Sequence, residues 1–285
     1  MLGTIKTNES VQNQDLKKQM VDFPGERQCE MTISSTPILD KQSRDATYWA
    51  QPVSIMKVRK APTGALNLNV DGRQLVGPLQ GFGQLWQKTF RVRLSGASVT
   101  STEVIKTWKE NFPEFWPKWD HFYKSVTGIA PGEVGIINML LPGDIPVGVP
   151  ISTGVLIMYA DDESFTFMNP LGHMFAGWIT FSAYEEDACT IAQIQLLVRC
   201  NDPIYEIGFR LGASQSENRF WRYILKSLAG HYDVSESVQT RVVCLDPKVQ
   251  WSQFGNIWQN ASIRTVLYRM LTPLRWALNR RPGQK

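Results

Sequence analysis

The order of hydrophobic patterns between residues 90 and 233 constrains the fold of this 285-residue chain more than any other feature. A strand pattern, T-F-R-V-R-L, precedes a helical segment and then five further strand patterns. A long helical pattern from Pro203 to Gly230 comes last. A curved sheet can wrap such a helix and leave an apolar cavity between them. The order therefore predicts an α+β fold with a cavity that holds a ligand. No catalytic motif accompanies this pattern.

Alternation and turn chemistry predict that the strands are antiparallel. Within residues 89–94, large apolar residues alternate with two arginines, which is typical of a sheet with one buried face. Acidic turns at 161–163 and 185–187 separate neighbouring strand patterns and indicate hairpins. Between the first strand and the others, Thr100 and Glu103 have the spacing of a capping box, which predicts a helix from residue 101 to 112.

The long helical pattern has a clear beginning and one weak point. Asp202 is a good N-cap, and Pro203 suits the first helical position. Residues 212–214, Gly-Ala-Ser, predict a kink. The apolar stripe expected to face the sheet consists of Ile204, Ile207, Leu211, Trp221, Ile224, Leu225 and Leu228.

Composition shifts divide the chain into four predicted parts. Residues 1–45 are polar and weakly patterned, which predicts a mostly disordered tail. Residues 46–86 form an N-terminal extension, in which Asp71-Gly72 indicates a hairpin. Residues 87–233 form the ligand-binding domain. Residues 234–285 form a C-terminal extension with a basic amphipathic helix.

Charge, cysteine usage and histidine spacing exclude several classes of function. A net charge of +4 is too small for the basic stripe of a nucleic-acid-binding protein. The three histidines, His121, His173 and His231, lack the spacing of metal ligands, so we expect no metal and no cofactor. The chain begins without a signal-peptide pattern and contains no apolar run long enough to span a membrane. Its four cysteines lack the paired spacing of a metal site, and reduced thiols are the expectation. These features predict a cytoplasmic protein.

The order of elements resembles that of the START-like (SRPBCC, helix-grip) superfamily, which includes lipid-transfer domains, polyketide cyclases and birch-pollen-allergen-like proteins. The resemblance covers about half of the chain. It rests on the opening strand at 89–94, short helices at 101–112 and 115–123, the meandering strands, and the terminal helix at 203–230. It implies that the sheet grips the last helix and that a hydrophobic small molecule or lipid lies between them. No catalytic residue carries over, because the superfamily has no short motif to match.

Strand parity and the aromatic loop predict which side chains line the cavity. His173, between two strand patterns, is the polar candidate for orienting a ligand. The residues predicted to line the cavity could instead form a filled core, because closed sheets often leave no void. The candidate ligand-binding residues are Trp108, Phe115, Trp116, Ile137, Met139, Ile157, Tyr159, Phe167, His173, Ile179, Phe181, Ile194 and Leu196.

Two alternatives to a binding protein remain open at the level of sequence. One is an enzyme of the same fold, of the cyclase, aromatase or hydrolase kind, which would need Tyr159, His173 or Asn138 to point into the cavity. The other is a non-catalytic interaction module with a filled core, which would use the aromatic loop at 112–119 and the C-terminal tail to bind a protein.

The segment from Ile263 to Lys285 is the second informative region. It contains six basic residues and no acidic one. A basic amphipathic helix of this kind is typical of contact with a membrane surface or a protein partner, whereas docking on its own domain is the ordinary alternative. Pro273 is expected to kink or divide the helix. The apolar stripe consists of Ile263, Val266, Leu267, Met270, Leu271, Leu274, Ala277 and Leu278.

Overall fold

The computed structural model describes residues 46–51, 53–143 and 145–279, with side chains up to Thr272. The predicted disordered tail at 1–45 and the end of the basic segment at 280–285 lie outside the described residues.

One antiparallel sheet of eight strands organises the described chain, in the order β2-β3-β4-β5-β6-β7-β1-β8. This sheet and the helices packed against it confirm the predicted α+β, helix-grip fold. The strands are β1 (Leu85–Arg93), β2 (His121–Tyr123), β3 (Val134–Leu141), β4 (Val149–Ala160), β5 (Ser164–Met168), β6 (Phe175–Glu186), β7 (Cys189–Cys200) and β8 (Gln239–Asp246). The α-helices are α1 (Ser101–Asn111), α2 (Pro203–Gly208), α3 (Ser214–His231) and α4 (Ala261–Asn279).

Helices α1 and α3 cover the inner face of the sheet. The Thr100–Glu103 capping box predicted for α1 is present, with Thr100 accepting from the Glu103 amide and Glu103 accepting from the Thr100 amide. Helix α1 buries Val104, Ile105 and Trp108 completely. Helix α3 buries an apolar face that includes Ile224 and Leu228 in the same core.

The prediction of a short helix at 115–123 is wrong. A 3₁₀-helix at Phe112–Phe115 extends α1, and the chain then enters strand β2, which pairs with β3. Pro117 explains the difference, because a proline disfavours the helical conformation in the residue before it, and Trp116 is extended with ψ of 155°.

The long terminal helix is present but changes its winding at the predicted weak point. Between α2 and α3, residues Phe209–Ala213 form a π-helical segment in which Gly212 has φ of 126°, a conformation that favours glycine. A π-turn holds more residues than an α-helical turn. The residues before it therefore lie on a different helix face, relative to those after it, from the face that a regular α-helix would give them. Ile207 and Leu211, expected on the core stripe, are therefore exposed, whereas Phe209 is buried.

Both extensions pack on the sheet. The N-terminal segment makes three isolated bridges, Trp49 with Tyr159, Ile55 with Gln74 and Leu75 with Pro170. The second of these stands where a hairpin was expected. A second apolar cluster joins this segment to the outer face of β3 and β4 through Met56, Val70, Val134, Ile136 and Leu156. In the C-terminal extension, β8 pairs with β1, and no sequence pattern had predicted that strand.

Helix α4 docks on β4 through polar groups. The Thr265 hydroxyl accepts from the Ser152 amide at 3.0 Å, and buried Asn69 donates to Thr265 at 3.2 Å. The apolar residues Ile263, Leu267, Met270 and Leu271 are exposed instead. The helix continues past Pro273 to Asn279. Among the helices that the structure describes, none is long and apolar enough to cross a membrane.

Candidate ligand-binding cavity

A cavity of about 590 Å³ lies between the inner face of the sheet and the α2–α3 region. This volume falls within the range of small-molecule sites. Strands β3 to β7 form one wall, and α2, the π-helical segment and α3 form the other. Its aromatic lining consists of Phe112, Trp116, Phe122, Phe167, Phe175, Phe181, Tyr205, Phe209, Phe220 and Trp221.

The structure brings seven of the thirteen predicted ligand-binding residues together in the cavity wall. They come from the aromatic loop, from β3, β5 and β6, and from the loop between β5 and β6, so their convergence is a result of strand pairing. The seven are Trp116, Ile137, Met139, Phe167, His173, Ile179 and Phe181.

Six predicted residues lie away from the cavity. Phe115 packs against the His231 ring. Tyr159 lies against the N-terminal segment, with its ring centroid 4.7 Å from that of Trp49. The others are filled core, buried without reaching the cavity: Trp108, Ile157, Ile194 and Leu196.

A β-bulge in β4 explains the position of Tyr159. Ile157 pairs with Phe167, but the register then shifts, so that Tyr159 pairs with Thr166 and Ala160 pairs with Phe165. One extra residue reverses the alternation of faces along a strand. Parity counting across the bulge therefore placed Tyr159 on the inner face, which Ala160 occupies instead.

Sequence reasoning missed most of the wall that the helices supply. Tyr205, Phe209, Phe220 and Trp221 line the cavity, and only Trp221 lay on the predicted stripe. Aromatic residues four apart at 205 and 209 were an available signal. The π-helical segment concealed this signal, because a uniform 100° per residue does not place the residues of α2 and those of α3 on the same helix face.

The cavity opens at an apolar rim. Val149 at the start of β4, Ile204 in α2 and Leu211 in the π-helical segment line the cavity and are also exposed, Leu211 by 83%. Exposed apolar residues are unremarkable singly, but a group around an opening marks a route or a contact for apolar molecules.

His173 is a buried polar group in the cavity wall. Its Nδ1 lies 3.0 Å from the Phe175 amide nitrogen and 3.2 Å from the Phe175 carbonyl oxygen. Burial lowers the pKa of His173 to about 4, against the smaller opposing effect of the Phe175 backbone. The imidazole is therefore uncharged at neutral pH.

Three further uncharged polar residues line the cavity close to His173 in the fold. The Tyr205 and Ser262 hydroxyl oxygens lie 3.0 Å apart, and burial raises the pKa of Tyr205, so that its phenol stays protonated. Asn169 is completely buried, and neither atom of its side-chain amide has a partner among the described residues.

Among the residues that the structure describes, Glu217 is the one acidic residue in the wall, and both of its carboxylate oxygens have partners. It pairs with the completely buried ammonium of Lys88 on β1 and accepts from the Trp221 indole at 2.6 Å. Lys88 also donates to Asn218 at 2.9 Å and lies 4.7 Å from the centre of the Phe209 ring. Within the described chain, no group of three or more histidine, cysteine or acidic residues could hold a metal ion.

No family model matches this chain, and no curated protein sequence does. Solved structures similar to it include the di-domain ARO/CYC StfQ from the steffimycin biosynthetic pathway, with 9% identity, a TM-score of 0.41, and coverage of 53% of this chain and 51% of that one. A START superfamily protein from Mycobacterium smegmatis shows 16% identity, a TM-score of 0.37, and coverage of 53% and 98%. Ara h 8.0201 shows 14% identity, a TM-score of 0.34, and coverage of 51% and 97%.

Proposed function

Because this chain has a START-like, helix-grip fold, we propose that it binds or transports a hydrophobic small molecule or lipid in the cavity between sheet and helix. The observation that carries the proposal is the cavity itself, which holds about 590 Å³ behind a mostly aromatic and aliphatic wall. A closely packed interior leaves few voids larger than a water molecule. A space of this size therefore favours a container over a module with a filled core.

The polar lining favours binding over catalysis. Of the three polar residues named above as examples for an enzyme of this fold, His173 lines the cavity, while Tyr159 and Asn138 do not. General acid–base chemistry needs a group whose pKa lies near the working pH. The low pKa of His173 makes its protonated form scarce at pH 7, so it suits a neutral hydrogen-bonding role.

Gly208→Phe tests the proposal by blocking the opening. Gly208 lines the cavity in α2 with helical φ of −59°, and a side chain placed there would meet no atom within 4 Å of its Cβ. A Cβ can therefore be added at this position without a clash, and we expect a phenyl ring attached to it to take up space at the cavity. We expect the affinity for an apolar fluorescent dye such as Nile red to fall at least tenfold in a fluorescence titration.

Gly230→Phe is the matched control. Gly230 is also a helical glycine with open space around its Cβ, but it is exposed near the end of α3 and does not line the cavity. This variant should bind the dye as the original protein does. Equal binding by the Gly208→Phe variant and the original protein would show that the dye, and the proposed ligand, do not use this cavity.

We also propose that α4 places the protein on an anionic membrane surface. Its outward stripe, Ile263, Leu267, Met270 and Leu271, is exposed, although apolar stripes ordinarily face a core. The basic residues and lack of acidic ones from Ile263 onward complement anionic headgroups. Ser262, at the beginning of the same helix, lines the cavity, so the stripe starts beside the ligand site.

Vesicle co-sedimentation with Leu267→Asp tests the membrane proposal. Binding to phosphatidylcholine–phosphatidylserine vesicles should exceed binding to phosphatidylcholine vesicles and weaken with added salt. We expect Leu267→Asp to reduce it at least tenfold, because the change removes apolar area and adds a negative charge.

Val126→Asp is the matched control for this experiment. Val126 is exposed in the turn between β2 and β3, away from α4, and its replacement should leave vesicle binding unchanged. If Leu267→Asp binds vesicles as tightly as Val126→Asp does, α4 is not the membrane contact.

A further inference from the structure

The uncharged polar side chains gathered at one part of the cavity point to the chemistry of the ligand. We propose that the ligand is an uncharged lipophile with a hydroxyl or carbonyl oxygen, and that this oxygen accepts hydrogen bonds from His173 and from the Tyr205–Ser262 pair. This inference rests on the proposed binding function and specifies its ligand class.

Backbone hydrogen bonds hold the three side chains at one junction. The Ala261 amide donates to the Gly172 carbonyl at 2.9 Å, which joins the residue before Ser262 to the residue before His173. The Ser262 amide in turn donates to the Tyr205 hydroxyl oxygen at 3.1 Å. The loop between β5 and β6, the start of α4 and helix α2 therefore meet where these side chains line the cavity.

His173 can offer one hydrogen-bond donor to a ligand. When its Nδ1 accepts from the Phe175 amide, the proton of the neutral imidazole is on Nε2. Within the described part of the chain, Nε2 has no hydrogen-bond partner, while the residue as a whole is 5% exposed. A ligand oxygen in the cavity could accept from this N–H, because the side chain lines the cavity.

The Tyr205–Ser262 pair offers a second donor. Two hydroxyl groups carry two hydrogens, and their mutual bond at 3.0 Å uses one of them. The other hydrogen remains available whichever hydroxyl donates, because the additional bond to the Tyr205 oxygen comes from the Ser262 amide. Both side chains line the cavity, so a ligand there could accept this hydrogen.

The charges of the wall disfavour an ionised ligand. Glu217 is already paired with Lys88, and no lysine or arginine among the described residues lines the cavity, so a bound carboxylate would lack a cation. Protonated His173 would be a poor substitute, because a group with a pKa of about 4 is protonated about one time in a thousand at pH 7. An alkylammonium would likewise find no free carboxylate, and an unpaired buried charge is strongly unfavourable.

The remainder of the wall requires an apolar body on the ligand. Away from the junction, the lining is dominated by rings and aliphatic side chains, including Phe122, Phe181 and Trp221. At roughly 30 Å³ for each water-sized group, the cavity holds a molecule of about twenty non-hydrogen atoms.

A series of matched ligands tests this inference on the unmodified protein by isothermal titration calorimetry at pH 7.5. The ligands are decan-1-ol, decan-2-one, decanoate and decylammonium below their aggregation limits, together with 1-methylnaphthalene, which has no hydrogen-bonding group. The alcohol and the ketone should each bind at least tenfold more tightly than decanoate and decylammonium.

His173→Asn then tests the assigned donor. An asparagine oxygen can replace Nδ1 as the acceptor for the Phe175 amide. The asparagine NH2 group ends nearer to the backbone than Nε2 does, so we expect it not to reach the ligand oxygen. Affinity for decan-1-ol should fall about fivefold, the equivalent of one neutral hydrogen bond, while 1-methylnaphthalene binding stays within twofold. Tyr205→Phe provides a second variant with the same expected selectivity, and His121→Asn, on the exposed surface of β2, is the control.

The outcomes separate this inference from the proposed function. If decanoate binds as tightly as decan-1-ol, or if both variants weaken the alcohol and 1-methylnaphthalene equally, the ligand class is wrong and the binding function stands. If none of the five compounds binds the unmodified protein, the binding function fails, and the ligand class fails with it.

Discussion

Lys88→Met is expected to lower the free energy of unfolding by about 3–5 kcal/mol. The change leaves the Glu217 carboxylate inside the protein without its cation, and an unpaired buried charge costs far more than the intact pair contributes. The Lys88 side chain is completely buried, and Glu217 is nearly so. Urea denaturation of the original protein and the variant, followed by circular dichroism, measures the difference from the midpoints and slopes.

Two further variants isolate the cause. Lys88→Met combined with Glu217→Leu removes both charges, and we expect it to recover most of the lost stability, since apolar replacement of a whole buried pair is often neutral. Lys226→Met, at an exposed position of α3, should change stability by less than about 0.5 kcal/mol. A loss of under about 1 kcal/mol for Lys88→Met alone would mean that Glu217 finds another partner or water.

Phe112→Ala is expected to cost about 3–5 kcal/mol of stability. Phe112 is completely buried and lies at the centre of the aromatic core. Its removal forfeits the transfer free energy of a large ring and leaves a void that the surrounding side chains cannot fill. Five rings surround it at centroid distances of 4.8–6.0 Å: Trp116, Phe122, Phe165, Phe167 and Phe181.

The same denaturation measurement checks this prediction. Phe112→Leu keeps most of the apolar volume and should cost clearly less than the alanine variant. Tyr223→Ala, at a partly exposed aromatic residue of α3, is the control and should have a small effect. If Phe112→Ala and Tyr223→Ala destabilise the protein equally, the aromatic cluster does not hold the core together.

Local patterns predicted the elements of this fold well where one periodicity persists. The five strand patterns that follow the first helical segment correspond to strands β3 to β7. The capping box at Thr100 and the cap at Asp202 are present, because both depend on hydrogen bonds within a few residues. The predicted kink coincides with Gly212.

The cavity wall was predictable only in part, because two irregularities interrupt the regular periodicity from which inward-facing residues are predicted. The bulge after Ile157 turns Tyr159 outward, and the π-helical segment turns Leu211 outward while burying Phe209. The bulge has no sequence signature in its own strand, and the glycine at 212 marks a weak point in the helix without predicting a π-helical change of phase. Each irregularity arises when a long element adjusts its register to pack against others.

The sequence by itself determined the order of elements from β3 to α3 and the antiparallel pairing of successive hairpins, because these depend on neighbouring residues. Only the tertiary structure decided which face of α4 is exposed, why Arg199 and Lys88 are buried charges, and which polar groups meet beside His173. These features depend on residues far apart in the chain. Arg199, for example, donates to the carbonyls of Gly83 and Lys248, and only the folded sheet brings those groups together.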